Sequence, residues 1–181
     1  REFIAQAFSG QPPGRLLEIG AYDGTTSSLS AALIAAGWSA VLVEPAAQAF
    51  SRLLCRYGGQ DRVRLVHAAV LPESKPATFW ECSGPAHDQL SSTVEAFARQ
   101  WHVAGQSYLV KSLSVAELLD FAGAETLDLI IVDAEGVSVE ITKALPLDRL
   151  LNVKVVVVES DTGQMDDAVA AISPWYDVTV I

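Results

Sequence analysis

The fold is decided by the stretch Leu17-Glu18-Ile19-Gly20-Ala21-Tyr22-Asp23-Gly24-Thr25, in which a short apolar run ends in a turn with two glycines. The run predicts a buried strand over residues 16–19. A helix is predicted from about Thr26, capped by Ser27 or a neighbouring hydroxyl, to a stop at Gly37. Glycines allow tight turning and close approach of a ligand to the backbone. Because ligands of open α/β sheets bind beyond the carboxyl ends of the strands, this turn is a candidate binding-site floor.

Strand-like and helix-like patterns alternate along the rest of the chain, which predicts a three-layer, doubly wound α/β fold with a mainly parallel sheet. Further strands are predicted at residues 40–43, 63–66, 127–132, 153–158 and 176–181. Further helices are predicted where Phe50, Leu53, Leu54 and Tyr57 share a face, after the capping box at Ser114, and at residues 137–145 and 166–172. Between them, residues 71–112 form an irregular insertion in which residues 77–81 and 108–113 alternate like short strands.

Composition restricts the class of protein. The 181 residues predict a single domain spanning residues 1–181, and a formal net charge of −10 disfavours nucleic acid as a partner. No apolar run reaches the roughly 20 residues of a membrane span. Cys55 and Cys82 match no disulfide framework or zinc pattern. Because the chain begins at Arg1 without a signal-like segment, we expect a trimmed form or excised domain of a cytoplasmic protein.

Three acidic residues near the glycine turn indicate which ligand it binds. Glu18 lies in the first strand, Asp23 in the turn, and Glu44 at the end of the second strand. Dinucleotides and S-adenosylmethionine (SAM) both use such a floor, but a carboxylate about 4 Å from a phosphate costs about 4 kcal/mol at an effective dielectric near 20. SAM instead brings an ammonium and a sulfonium, which Glu18, Asp23 and Asp133 would favour, so the charge pattern favours SAM over NAD.

Glu44 and Glu18 have different expected roles. A carboxylate at the position of Glu44 can accept hydrogen bonds from both ribose hydroxyls of either cofactor, whereas its alternative role is that of a solvated strand-end residue. Glu18 either contributes to the cofactor site or is a buried acid that organises the backbone amides of the turn. Both alternatives stay open for Glu18.

Two further carboxylates follow the fourth predicted strand, in Val132-Asp133-Ala134-Glu135-Gly136. Asp133 can hold the SAM ammonium, orient the acceptor or take its proton, and Glu135 can act as base or as partner. Their alternative role is to favour the dipole of the next helix. Glu159 is a weaker member of the same rim. The sequence shows no dedicated ligand set for a metal, so none is assigned.

These motifs, taken in order, resemble the FkbM-type SAM-dependent methyltransferases. The resemblance covers most of residues 16–159 and rests on a Gly-Ala-x-x-Gly turn at Gly20, a Glu-Pro pair at Glu44, and an Asp-x-Glu-Gly run at Asp133. Ser91-Ser92 is similar to a serine pair in the insertion of that family. The chain departs from the family at Ala116, Ile131 and Ser138, which puts in doubt any catalytic role that depends on those positions.

The resemblance implies the Rossmann-like fold of class I methyltransferases, with SAM as cofactor and methylation of a hydroxyl oxygen on a sugar, polyketide or similar small molecule. It implies that SAM lies across the glycine turn and Glu44, with adenine near His67. The expected cofactor-binding residues are Glu18, Gly20, Ala21, Tyr22, Asp23, Gly24, Thr25, Glu44, Pro45, His67, Ala68, Ala69 and Asp133. Asp133 and Glu135 are the expected catalytic residues, because an alcohol must lose its proton during transfer.

Several alternatives remain. His87 and His102 are weaker candidates for the base, and Trp80, Trp101 and Tyr108 form either an acceptor platform or packing for the insertion. A non-catalytic SAM-fold binding module is the second functional hypothesis, and an NAD-dependent oxidoreductase is the third. The acceptor is expected to contact residues 72–111, but the sequence does not identify it or the oligomeric state.

Overall fold

A computed structural model describes residues 2–82, 88–100, 106–160 and 163–180. The helices are α1 (Glu2–Ala7), α2 (Ala31–Ala35), α3 (Ala47–Tyr57), α4 (Glu95–Gln100), α5 (Val115–Ala122), α6 (Ser138–Ala144) and α7 (Met165–Ile172). The strands are β1 (Arg15–Ile19), β2 (Ser39–Val43), β3 (Val63–Val66), β4 (Ala69–Leu71), β5 (Ala77–Glu81), β6 (Gln106–Val110), β7 (Ser112–Ser114), β8 (Leu129–Val132) and β9 (Val155–Val158). No described helix combines the length and the apolar character that crossing a membrane requires.

The central sheet has five parallel strands in the order β3-β2-β1-β8-β9, which confirms the predicted α/β class. The chain moves outward from β1 to β3 on one side and from β8 to β9 on the other, so the order reverses between β1 and β8. Ile19 pairs in register with both Val43 and Val132, and Val132 pairs with Val158. The residues that follow these strands therefore lie along one edge, at the switch point where such folds bind ligands.

Helices cover both faces of the sheet, and the strands are apolar on both sides as a result. On one face, Leu17 and Ile130 pack in a core to which α5 and α6 contribute. On the other, Leu16 and Ile131 pack in a core to which α1, α2 and α3 contribute. Successive strand residues alternate between the two cores, as the period of a β-strand requires. This arrangement is compatible with a Rossmann-like three-layer fold.

The insertion contains more regular structure than its sequence pattern predicts. β5 and β6 pair in antiparallel fashion although α4 lies between them in the chain, which confirms strand structure at residues 77–81. The strand structure expected at residues 108–113 is divided between β6 and β7, with a break at Lys111. β7 pairs in parallel with β4, which the sequence analysis missed because a three-residue strand leaves too little periodicity to detect. The predicted capping box is present, since the Ser114 side chain accepts from the Glu117 amide while the Glu117 carboxylate accepts from the Ser114 amide.

Three predictions of local structure are wrong. The helix expected from about Thr26 begins only at Ala31. Ser27 has a left-handed φ of 55°, so the chain turns there instead of continuing as a helix. The Ser28 hydroxyl then accepts a hydrogen bond from the Ala31 amide at 3.1 Å. Leu54, expected on the buried face of α3, is 51% exposed, because the buried face follows Ala49, Leu53 and Tyr57.

The third concerns the strand expected at residues 176–181. Residues 177–180 have no regular structure, and Val178 and Val180 are exposed. The alternating pattern had predicted a strand there, but a strand also needs a hydrogen-bonding neighbour, and no described strand pairs with this segment. Residue 181 itself lies outside the described residues.

Gly20 allows β1 and β8 to approach at the switch point, and its substitution tests this contact. A Cβ placed on Gly20 would lie 1.7 Å from the Asp133 carbonyl oxygen, and Gly20 has a φ of 86°. We expect Gly20→Ala to lower the free energy of unfolding by about 4 kcal/mol or more, measured by denaturant titration. Gly59→Ala is the control, because nothing lies within 4 Å of its added Cβ. Equal stability of the two variants would contradict this packing.

Candidate functional site

A cavity of about 840 Å³, part of it open to solvent, lies beyond the carboxyl ends of β1, β2 and β8. The lining combines backbone and small side chains of the turn after β1 with carboxylates and with polar residues of the insertion. Its charged members are Glu18, Glu44, Asp133 and Glu135. Among the described residues that line it, none is Lys, Arg or His.

The turn after β1 supplies the floor of the cavity through Gly20, Ala21 and Tyr22. The amides of Gly20 and Ala21 both donate to the Val43 carbonyl oxygen at 2.9 Å, which fixes the turn against the end of β2. Tyr22 has a φ of 48°, a conformation that is uncommon for a residue with a side chain. Such conformations persist where the surrounding structure enforces them, and here the enforcing contact is the side chain of Glu44.

Glu44 is 5% exposed and holds the ends of two segments together. One carboxylate oxygen accepts the Tyr22 amide at 2.8 Å, and the other accepts the Ala46 amide at 2.7 Å. Burial raises the pKa of Glu44 to about 7, although both amides and the Arg52 charge act in the opposite direction. Each carboxylate oxygen has a second lone pair, so Glu44 can accept further hydrogen bonds from a ligand in the cavity.

Glu18 lies in the wall of the cavity and also organises a neighbouring turn, so its position is compatible with both of the roles considered in the sequence analysis. Its side chain lines the cavity and is 3% exposed. It also accepts hydrogen bonds from the Ser30 hydroxyl and the Leu29 backbone, which organises the turn that precedes α2. Burial raises the pKa of Glu18 to about 7, against the opposite effect of these hydrogen bonds.

A cluster of three carboxyl groups stands at the ends of β8 and β9. Oxygen atoms of Asp133, Glu135 and Glu159 lie within 4.8 Å of one another. Burial raises the pKa of Asp133 to about 9, and a hydrogen bond with Glu159 and the negative charges of Glu159, Glu135 and Glu18 act in the same direction. These oxygens are also the donors that a hard divalent cation prefers, so the three residues could hold one.

The segment after β8 is held in place by hydroxyl groups. The Ala134 amide donates to the Ser138 hydroxyl at 2.8 Å, which closes the turn at the start of α6. Ser92, from the insertion, donates to the Glu135 carbonyl oxygen at 2.5 Å. Gly136 permits this approach, since a Cβ there would lie 3.1 Å from Phe97 and 3.2 Å from the Ser92 hydroxyl. The insertion is thereby anchored to the acidic rim.

The insertion forms a wall of the cavity, and apart from Ser91-Ser92 the sequence analysis did not identify which of its residues would do so. The lining residues it contributes after β5 are uncharged and polar: Gln89, Ser91, Ser92 and Thr93. This segment lies beside β5, because the backbones of Trp80 and Ser92 donate hydrogen bonds to each other at 2.8 and 3.1 Å. The resemblance of Ser91-Ser92 to a family serine pair was the one available signal. Residues 26–28 also line the cavity, and nothing in their sequence pattern indicated this.

Most predicted cofactor residues reach the cavity. Pro45, Ala68 and Ala69 line it together with those already described. The exceptions are Asp23, Gly24, Thr25 and His67.

Each of these four residues has a local contact instead. Asp23 accepts hydrogen bonds from the Thr25 and Thr26 amides at 2.8 and 2.7 Å. Burial raises the pKa of Asp23, but its hydrogen bonds with Thr25 and Thr26 have the larger combined effect, so the pKa lies below its usual value. Gly24 accepts a hydrogen bond from the Tyr57 hydroxyl. His67 stacks on Phe50 with ring centroids 4.5 Å apart.

The aromatic residues proposed as an acceptor platform are placed differently. Tyr108 packs against Phe79 and accepts from the Ala47 amide at 3.3 Å, while Trp80 lies under the Arg99 guanidinium. Neither lines the cavity, so both pack the insertion. Trp101, His87 and His102 lie outside the described residues.

Comparison with protein-family models gives no match, and comparison with curated proteins gives none either. The functional argument therefore depends on the chemistry of the cavity.

The raised pKa values predict how stability changes with pH. In the folded protein, Glu18 and Glu44 keep their protons up to about pH 7 and Asp133 up to about pH 9, whereas in the unfolded chain all three ionise near pH 4. The free energy of unfolding therefore falls as pH rises from about 4, and the loss is complete near pH 7 for the two glutamates and near pH 9 for Asp133. Asp133→Asn removes one such group and should reduce the loss of Tm between pH 5 and pH 9 by at least about 2 °C.

Asp120→Asn provides the control for this measurement, because Asp120 is exposed on α5. Its pH dependence should follow that of the unmodified protein in thermal denaturation. If Asp133→Asn shows that same dependence, Asp133 does not carry an unfavourable charge in the folded state.

Proposed function

We propose that the protein is a SAM-dependent methyltransferase that acts on a hydroxyl oxygen of a small molecule. The charge of the cavity is the observation that carries this proposal, because its described lining contains carboxylates and no basic side chain. SAM brings an ammonium and a sulfonium, which such a lining favours. A pyrophosphate would instead lose about 4 kcal/mol beside an ionised carboxylate about 4 Å away at an effective dielectric near 20, and it would hold the raised pKa values of the other carboxyl groups high, which disfavours NAD. The resemblance to FkbM-type methyltransferases supports the same assignment.

The residues present fit this cofactor in their chemistry. Glu44 would accept hydrogen bonds from the ribose hydroxyls through its remaining lone pairs, and the small residues Ala68 and Ala69 would border the adenine. Glu18 and Asp133 would lie near the positive charges. A nearby positive charge stabilises an ionised carboxylate, so binding would lower the raised pKa of each.

Methyl transfer requires that the protein align the acceptor oxygen with the methyl carbon and that it remove the proton of the acceptor hydroxyl. When bound, SAM would supply an electrophilic methyl group, and its sulfur would keep the electron pair of the S–C bond that is broken. The hydroxyl proton passes to a carboxylate of the rim. Asp133 and Glu135 are the groups in the cavity wall that can take it.

The raised pKa of Asp133 distinguishes Asp133 from Glu135 as candidates for the base. In the ligand-free protein Asp133 carries a proton at neutral pH and hydrogen-bonds with Glu159. A carboxyl group that holds a proton is a hydrogen-bond donor and must ionise before it can accept another. Because the carboxyl group of Asp133 is also engaged by Glu159, we take Glu135 as the first candidate for the base, with Asp133 orienting the acceptor or holding the SAM ammonium.

Glu44→Gln tests the ribose assignment. The variant loses the charge but keeps an acceptor oxygen, and we expect SAM affinity to fall about 10- to 150-fold, or about 1.5–3 kcal/mol, the range for hydrogen bonds to a charged group. Isothermal titration calorimetry with SAM and its demethylated product S-adenosylhomocysteine measures this, with circular dichroism to show that the variant folds. Glu73→Gln, at an exposed residue outside the lining, should bind normally. Unchanged affinity of Glu44→Gln would refute the ribose assignment.

Glu135→Gln tests the base. Methyl transfer from radiolabelled SAM to a panel of hydroxylated acceptors should fall about 10²- to 10⁴-fold, the usual contribution of a general base, while SAM affinity changes by less than about threefold. Glu140→Gln on α6 is the exposed control. Full activity of Glu135→Gln would exclude it as the base. An unmodified protein that binds SAM and transfers to no acceptor would be a binding module instead of an enzyme.

A further inference from the structure

A second pocket lies between α2 and the end of α3, on the face of the sheet that these helices cover. It measures about 530 Å³, part of it open to solvent, and no described residue lines both this pocket and the cavity beyond the strands. Its lining consists of Ala31, Ile34, Ala35, Arg56, Tyr57, Gln60 and Arg62. The pocket is therefore separate from the proposed cofactor site.

The charge of this pocket is opposite to that of the cavity. Its charged lining residues are Arg56 and Arg62, and no Asp or Glu of the described ranges lines it. Asp61 lies between the two arginines in sequence, but it is not part of the lining. Because the chain has a formal net charge of −10, a pocket with two cations and no carboxylate differs from most of its surface. Such a pocket attracts anions.

Neither arginine has a carboxylate partner among the residues that the structure describes. Several other basic side chains lie within 3.8 Å of a carboxylate oxygen: Arg99, Lys143, Arg149 and Lys154. Arg56 and Arg62 form no such pair with a described residue. Two like charges in one pocket repel each other, and a ligand that brings negative charge would relieve this repulsion.

Both guanidinium groups are held at the wall of the pocket. The guanidinium carbon of Arg56 lies 5.3 Å from the centroid of the Tyr57 ring, and Arg62 donates to the Ile34 carbonyl oxygen at 3.4 Å. Tyr57 and Ile34 themselves line the pocket. A guanidinium has five N–H donors in a planar fork that fits the oxygens of a phosphate or a carboxylate. The single hydrogen bond of Arg62 leaves donors for a ligand.

The remaining wall of the pocket indicates what kind of anion fits. Two positive charges match a phosphate monoester, which carries a charge of about −1.5 to −2 at neutral pH, better than they match a singly charged carboxylate. Beside the arginines, α2 contributes the apolar side chains of Ala31, Ile34 and Ala35. A small organic group attached to the phosphate could pack against these side chains and lose contact with water.

We propose that this pocket binds a small organic phosphate monoester. Arg56 and Arg62 contact the phosphate oxygens, and the organic group packs against α2. The proposal is independent of the cofactor assignment, because the two sites have no described lining residue in common.

Three related anions test the class of ligand: isopropyl phosphate, inorganic phosphate and isobutyrate. In calorimetry with the full chain at low ionic strength, isopropyl phosphate should bind at least about fivefold more tightly than isobutyrate, because it carries more charge. It should also bind at least about threefold more tightly than inorganic phosphate, because its organic group is partly buried. Added sodium chloride should weaken binding, since it screens exposed charges.

The same titrations can overturn the proposal. It is wrong if isopropyl phosphate does not bind at millimolar concentration, or if isobutyrate binds as tightly. Equal binding of inorganic phosphate would remove the role of α2 and would refute the assignment to an organic phosphate.

Substitution of the arginines tests the location of the site. Arg56→Gln and Arg62→Gln should each weaken isopropyl phosphate at least about fivefold, as expected for the loss of one nearby charge. Arg149→Gln is the control, because Arg149 is exposed outside the pocket and its loss changes the net charge equally. All three side chains are exposed, so circular dichroism should show unchanged folding. Similar weakening by Arg149→Gln would reveal a general effect of net charge and would refute the site.

A matched pair of substitutions on α2 tests the apolar wall. Ala35→Glu places a carboxylate and a larger side chain in the pocket and should abolish the binding of isopropyl phosphate. Ala32→Glu adds the same charge at an exposed position of α2 outside the lining, and its affinity should change by less than about twofold. Normal binding by Ala35→Glu, or equal loss in the two variants, would contradict the proposed site.

Discussion

Carboxyl groups that share one edge of a parallel sheet repel one another, and the cavity of this protein depends on how that repulsion is relieved. The register of β8 and β9 brings Asp133 and Glu159 side by side, and burial, together with the neighbouring carboxyl groups, raises the pKa of Asp133 to about 9. Without a ligand, protons provide the relief, since Asp133 holds one and hydrogen-bonds to Glu159. A cationic ligand can provide the same relief by stabilising the ionised forms. The edge is therefore suited to positive charge before any particular ligand is considered.

The backbone holds this edge in place. Gly20 lets the end of β1 approach the Asp133 carbonyl, and Glu44 fixes the strained conformation of Tyr22. The insertion is held beside the residues that follow β8 because the Ser92 hydroxyl donates a hydrogen bond to the Glu135 carbonyl oxygen. Each contact joins two segments that are far apart in sequence. The turn after β1 and the acidic residues after β8 are therefore held in position by contacts between distant segments of the chain. The groups that a ligand would contact are already in place before it binds.

The sequence predicted the strands best, because long apolar runs between glycine turns specify buried parallel strands with little ambiguity. It also placed Glu44, Asp133 and Glu135 correctly, since residues that follow parallel strands share an edge. It could not predict where the Asp23 carboxylate points, because two backbone amides within three residues compete for it. Nor could it predict that Gln89 and Thr93 line the cavity or that residues 177–180 form no strand, because both outcomes depend on neighbours that are distant in sequence.

The central claim is that the cavity accepts a positively charged nucleoside, and the protons released on binding test it most directly. Calorimetric titration of SAM at pH 7.5, a value chosen to lie between about 7 and about 9, in buffers of different ionisation enthalpy measures this number. The account predicts that SAM binds with net release of protons, because its charge lowers the raised pKa values of the lining carboxyls. Binding with proton uptake, or no binding of SAM, would contradict it.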